Sequence, residues 1–192
     1  MEIFEIILIA IGVSFDIFAR IICISSSYSK IDYKKMLSHG IVFTLWQLVS
    51  LALGYYSIEV ITDLKIATEN SHILHLIAIV IIITLAIRMI IAGARHDMVV
   101  EHRIDTLSVW EIIKSGLAIG IRTYFVGMAF EAFETNFGIE VLLLMVAALL
   151  MTYAGLHFGY RYGYEFKNKA YYIGSAFLIC AGACVGYQAF VI

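Results

Sequence analysis

With 62% of its 192 residues hydrophobic, 15% charged and a mean hydropathy of +0.93, the chain is too apolar for a water-soluble domain, where about a quarter of residues carry charge. A net charge of −2 and the lack of any basic face exclude nucleic acid as a partner. Three cysteines without a CxxC pair exclude a disulfide framework or a zinc site.

Taken in order, the apolar segments predict an all-α, polytopic membrane protein. A spanning helix needs about 20 mostly apolar residues. The first candidate, 3–24, contains the run IILIAIGVSFDIFARIICI with Asp16 and Arg20 near its middle. An ionised side chain at bilayer depth costs roughly 2.5–3.5 kcal/mol unless something offsets it, so such residues face inward and mark transport or ion sites. The segment opens MEIFE, acidic and without a small-residue cleavage site after it, so it is expected to remain as a helix. The second candidate, 36–58, carries Gln47 beside Trp46, and the third, 72–94, carries Arg88. Residues 95–110, RHDMVVEHRIDTLSVW, form the one strongly polar connection, and its His96 and His102 read as part of a solvated charged loop. The fourth candidate, 111–133, has Arg122 at its centre; the fifth and sixth are 139–160 and 170–191. No proline interrupts any of them.

Lys and Arg set the orientation. Lys30, Lys34, Lys35, Arg95, Arg103, Lys114, Arg161, Lys167 and Lys169 fall on one side and Lys65 on the other. The first side is therefore expected to be cytoplasmic, with both termini outside and the central loop inside a prokaryotic plasma membrane (the cell inner membrane). Three helices (1–94), a polar loop (95–110) and three helices (111–192) make the second half insert opposite to the first, the layout of a 3+3 inverted-topology repeat. Gly12-Val-Ser-Phe-Asp16 falls over Gly116-Leu-Ala-Ile-Gly120, and Gly54 over Gly159. Trp110 and the Tyr-rich stretch 160–172 sit where interfacial aromatics are expected.

Several polar positions are candidates for substrate or ion binding: Asp16, Gln47, Arg20, Arg122, Arg88 and Ser14. Asp16 and Arg20 are i,i+4 neighbours, which allows a structural ion pair as well as a cation ligand or proton carrier at Asp16. Ser14 lies on a different face. Arg122 is about eleven residues, or ~16 Å, from either end of its helix, so it needs an acceptor: Asp16, a backbone carbonyl, a glutamate such as Glu131, or an anion. Arg88 is near enough to the cytoplasmic end to snorkel. Gln47 can bond across helices or offer an amide oxygen to a hard cation, which with Asp16 makes the candidate metal-ligand pair. Gly155, Gly159 and Gly163, with Gly116 and Gly120, have the spacing that lets membrane helices approach closely, in a tight bundle or a homodimer. No nucleophile–base pair, P-loop or zincin motif is present, so no enzyme is expected.

Gly12-Val-Ser-Phe-Asp16-Ile-Phe-Ala resembles the first-helix signature of the MntP-type manganese efflux pumps, within the wider LysE-like superfamily. Ala86-Ile-Arg88-Met-Ile-Ile-Ala-Gly93 is similar to that family's third helix, Val126-Gly-Met-Ala-Phe130 to its fourth, and the spaced glycines Gly155, Gly159 and Gly163 to its fifth. The resemblance implies a transporter without a cofactor, with manganese(II) as the transported ion. It keeps Asp16 but puts Gln47 where a second-helix glutamate is expected, Gly120 where the fourth helix has an aspartate, Ala92 where an acid precedes the third-helix glycine, and Arg20 where a small residue stands. Two alternatives follow from the excess of arginine: a transporter of an anionic or zwitterionic molecule, and a non-transporting subunit of a membrane complex.

Overall fold

The computed structural model describes residues 3–26, 33–63, 71–95, 109–133, 135–162 and 166–191. They form six helices: α1 (Ile3–Ser26), α2 (Tyr33–Asp63), α3 (Ser71–Ala94), α4 (Val109–Ala132), α5 (Phe137–Tyr162) and α6 (Phe166–Val191). Each coincides with an apolar segment of the sequence. α2 runs past the apolar window at both ends, because neither proline nor a glycine stop ends it. At the start of α5, the Asn136 side chain accepts a hydrogen bond from the Gly138 amide at 3.0 Å, a capping contact for amides with no partner inside the helix. Most of the polar loop, including His96 and His102, lies outside the described residues, as does Gly163.

Five of the helices are long and apolar enough to cross a membrane: α1, α2, α3, α5 and α6. α4, which carries Lys114, Arg122 and Glu131, falls short of that measure. The distribution of side chains explains the composition. Ile41, Leu45, Val49 and Leu53 on α2, Val80, Ile83, Ile87 and Ile91 on α3, and Leu142, Val146 and Leu150 on α5 all face outward. Meanwhile Ser14, Asp16, Gln47, Thr123 and Thr152 are buried. A contiguous apolar exterior of this kind is a surface for lipid. The chain is a multi-pass membrane protein.

Lipid tails give helices no hydrophobic reason to associate, so close backbone approach and side-chain packing hold such bundles together. The principal pairings are α2 with α4, α1 with α5 and α6, α3 with α6 and α4, and α2 with α5. Every one joins a helix from residues 3–94 to a helix from residues 109–191. Glycine permits the tightest of them. Gly54 of α2 sits against the backbone of Tyr124 and Met128, and Gly127 of α4 against that of Leu51 and Tyr55. Gly155 and Gly159 of α5 lie against Phe18, Ile21 and Ile22 of α1. Gly120 lies beneath Trp46 and Ser50, whereas Gly116 is in ordinary contact with Phe43 and Trp46.

Candidate functional site

α1 and α4 touch only briefly, and the contact is polar. Asp16, 3% exposed, projects from α1 into the bundle. The Arg122 guanidinium on α4 donates from Nη1 to its Oδ1. Arg20, one turn along α1, places Nε 3.5 Å from Oδ2. A buried carboxylate needs such partners, since an uncompensated ion in a low-dielectric interior costs several kcal/mol. Of the acceptors open to Arg122 in the sequence, the fold selects Asp16. Glu131 lies toward the other end of α4, within electrostatic reach of Tyr55, whose hydroxyl donates to the Thr135 carbonyl at 3.2 Å. One carboxylate against two guanidiniums leaves one positive charge in excess.

Tyr171 of α6 belongs to the same nucleus, within electrostatic reach of Arg20, Asp16 and Arg122. The Tyr-rich stretch reads in sequence as an interfacial belt, yet Tyr171 is 5% exposed while its neighbour Tyr172 is 45% exposed. The difference is helical: Tyr171 falls on the α6 face that packs on α1 and α3, and Tyr172, one position on, lies at the rim of the α3 contact beside Gly93. Only the alternation between these two tyrosines could have been sought in the sequence.

A cavity of about 10 Å³ adjoins the ion pair, lined by Val13 and Asp16 of α1, Leu85 and Met89 of α3, Ile119, Arg122 and Thr123 of α4, and Leu178 of α6. That is close to the volume one water needs. Thr123, which no sequence signal marks, spends its hydroxyl on the Ile119 carbonyl at 3.2 Å.

The other candidates sit elsewhere. Arg88 is exposed on the outer face of α3, because Leu85 and Met89 take the inward face at that level. Ser14 is fully buried two residues before Asp16, hence on another side of α1. Gln47 is fully buried with neither amide atom hydrogen-bonded, and it does not line the cavity. Among the described residues no three His, Cys, Asp or Glu side chains come together as a metal centre. Cys180 and Cys184 are exposed on α6.

These features define a class: a multi-pass helical membrane protein whose buried charged nucleus lies where helices from its two halves meet. Comparison with known proteins makes it specific. Residues 30–185 match the family described as "Mntp: Putative manganese efflux pump", and the chain belongs to that family. Relatives carrying the MntP efflux-pump name include proteins of Acetivibrio thermocellus (25% identical over 182 residues, 95% of this chain and 89% of the relative) and Citrobacter koseri (26% over 188 residues, 95% of each). A third, from Methanobrevibacter smithii, is 24% identical over 178 residues, 93% of each chain. No solved structure matches. The chain is thus a membrane transporter of the efflux-pump kind, and its relatives carry the names of pumps, not of enzymes.

Proposed function

We propose that the chain exports manganese(II), or a divalent cation of similar hardness, across a prokaryotic plasma membrane, with Asp16 as the carboxylate that receives the ion. The observation that carries this reading is the placement of Asp16: buried, on the wall of a small cavity, and held by a guanidinium from the opposite half. A hard divalent cation seeks carboxylate oxygen. Arg122 stands where that ion would sit, so it is the tethered cation of the closed state and must leave Asp16 as the metal arrives.

The scaffold we infer is a 3+3 inverted repeat of six spans. Exchanging α1 with α4, α2 with α5 and α3 with α6 carries each principal pairing onto another of the set: α1–α5 onto α2–α4, α1–α6 onto α3–α4, and α3–α6 and α2–α5 onto themselves. Gly54 meets the backbone of α4 much as Gly159 meets the backbone of α1. α4 counts as a span because it runs alongside α2, Gly116 beside Phe43 and Met128 beside Gly54. Arg122, Thr123 and Glu131 are tolerated because they face other helices, while Lys114 is exposed near the start of the helix. With Lys and Arg as the guide to orientation, both termini lie outside and the 95–110 loop is cytoplasmic.

The test is relief of manganese toxicity in a sensitive bacterial strain. The wild-type chain restores growth and Asp16→Ala does not; full relief by Asp16→Ala removes the reading. The excess positive charge favours one second reading, an anionic or zwitterionic substrate bound by Arg20 and Arg122. It requires ligand-dependent thermal stabilisation by a small carboxylate that disappears in Arg122→Ala. A role as a non-transporting subunit, on its own or as a homodimer within a membrane complex, is separated from both by the absence of any flux from the purified protein.

A further inference from the structure

Hydroxyls buried in these helices find a backbone partner as a rule. Thr44 donates to the Gly40 carbonyl at 2.9 Å, Thr123 to Ile119, Ser25 to Ile22 at 3.2 Å and Ser175 to Tyr172 at 2.8 Å. Ser14 and Thr152 depart from the rule. They are 0% and 1% exposed, and neither hydroxyl oxygen has a hydrogen-bond partner. Gln47, at 0%, leaves both amide atoms unpartnered. A buried polar group without a partner is costly and calls for a reason.

Ser14 and Thr152 lie at one level of the α1–α5 contact. Thr152 of α5 packs against Gly40 of α2. Gln47 lies two turns, about 10 Å, further along α2, between Trp46 and Gly54, both of which pack on α4. Ser14 is one turn before Phe18, whose carbonyl adjoins Gly155, itself one turn past Thr152. α1 therefore shows Asp16 to one side and Ser14 to the other. The offset that lays Gly54 over Gly159 lays Gln47 over Thr152.

We propose that Ser14 and Thr152 line a second station on the ion path, where a partly dehydrated divalent cation is held by neutral oxygens, and that Thr152 is the cytoplasmic-side counterpart of Gln47. This rests on the exporter reading. Hydroxyl and amide oxygens suit hard cations, and a site without carboxylates binds weakly enough to pass its ion on. The Asp16 nucleus, with its surplus guanidinium, repels a cation that has nowhere else to rest; a neutral seam on the other face of α1 does not.

The experiment measures manganese uptake into everted membrane vesicles by wild type, Thr152→Val, Thr152→Ser, Ser14→Ala and Asp16→Asn. Thr152→Val keeps the shape and removes the hydroxyl, so it is expected to fold as well as wild type and to slow uptake at least tenfold, with Thr152→Ser near wild type. Should Thr152→Val fail to fold, Ser14→Ala reads the same seam. Manganese-dependent thermal stabilisation of the purified protein gives a second readout, expected to shrink in Thr152→Val and Ser14→Ala. Wild-type uptake by Thr152→Val and Ser14→Ala beside an inactive Asp16→Asn overturns the seam and leaves the exporter standing. Wild-type uptake by Asp16→Asn itself overturns both.

Discussion

Arg122 on α4 closes on Asp16 on α1 across 106 positions of sequence, and this bond is the polar link between the two central helices of the two halves. It couples fold to function, since the same carboxylate that stabilises the α1–α4 contact is the one a cation must claim. Removing either partner therefore has a structural effect as well as a transport effect. Removing both separates the two.

Arg122→Ala leaves Asp16 buried with only the longer Arg20 contact, and breaking a buried pair from one side costs ~3 kcal/mol. Asp16→Ala combined with Arg122→Ala is expected to recover most of that loss. Chemical denaturation of the four proteins of the cycle in detergent checks this. Additive single and double losses would show that the two side chains do not interact.

Arg20→Leu is expected to be milder, about 1 kcal/mol or less, because its contact to Asp16, 3.5 Å from Nε, is the longer of the two. Its effect on transport runs the other way. Removing the surplus positive charge makes the nucleus neutral with Arg122 in place, so manganese affinity should rise. A manganese titration of the purified variant that shows weaker binding than wild type contradicts this.

A Cβ at position 120 would stand 2.5 Å from Trp46 Nε1 and 2.6 Å from Ser50 Oγ. Gly120→Asp alone therefore displaces Trp46 and loosens the α2–α4 contact, lowering the melting temperature. Trp46→Ala in the same chain opens the space, restores the melting temperature toward that of Trp46→Ala alone, and adds a carboxylate to the second half. Tighter manganese binding by the double variant than by wild type is the expected result.

Gly54→Ala puts a methyl group against the Tyr124 backbone, which cannot rotate away, and is expected to destabilise the bundle. Gly186→Ala meets nothing within 4 Å and should be neutral, or stabilising by up to about 1 kcal/mol through helix propensity. Thermal unfolding of the two variants side by side distinguishes a packing glycine from an incidental one. Equal melting temperatures would remove the close-approach argument.

The helices were legible because all but α4 are strongly apolar runs of bilayer length, and the residues worth examining were legible because charge is rare inside such runs. Asp16, Arg20 and Arg122 stand out by type alone. What could not be read is pairing. Arg122 had several possible acceptors, and only the long-range packing of α4 near α1 decides among them. Arg88 carries the same charge yet faces outward, a matter of helical phase that the apolar α3 sequence hides because nearly every face of it is apolar. Tyr171 was masked by its exposed neighbour Tyr172, and Thr152 by the ordinary habit of threonine to bond its own helix. Gly54 and Gly127 lack the GxxxG spacing that marks the α5 glycines, so their cross-half contact emerges only from coordinates.

The most direct measurement is radioactive manganese uptake into proteoliposomes containing purified wild type or Asp16→Asn, a change that keeps the size of the side chain and removes its charge. Flux in wild type that falls to the level of empty liposomes in a folded Asp16→Asn protein is the predicted result. Equal flux from the two proteins contradicts the account.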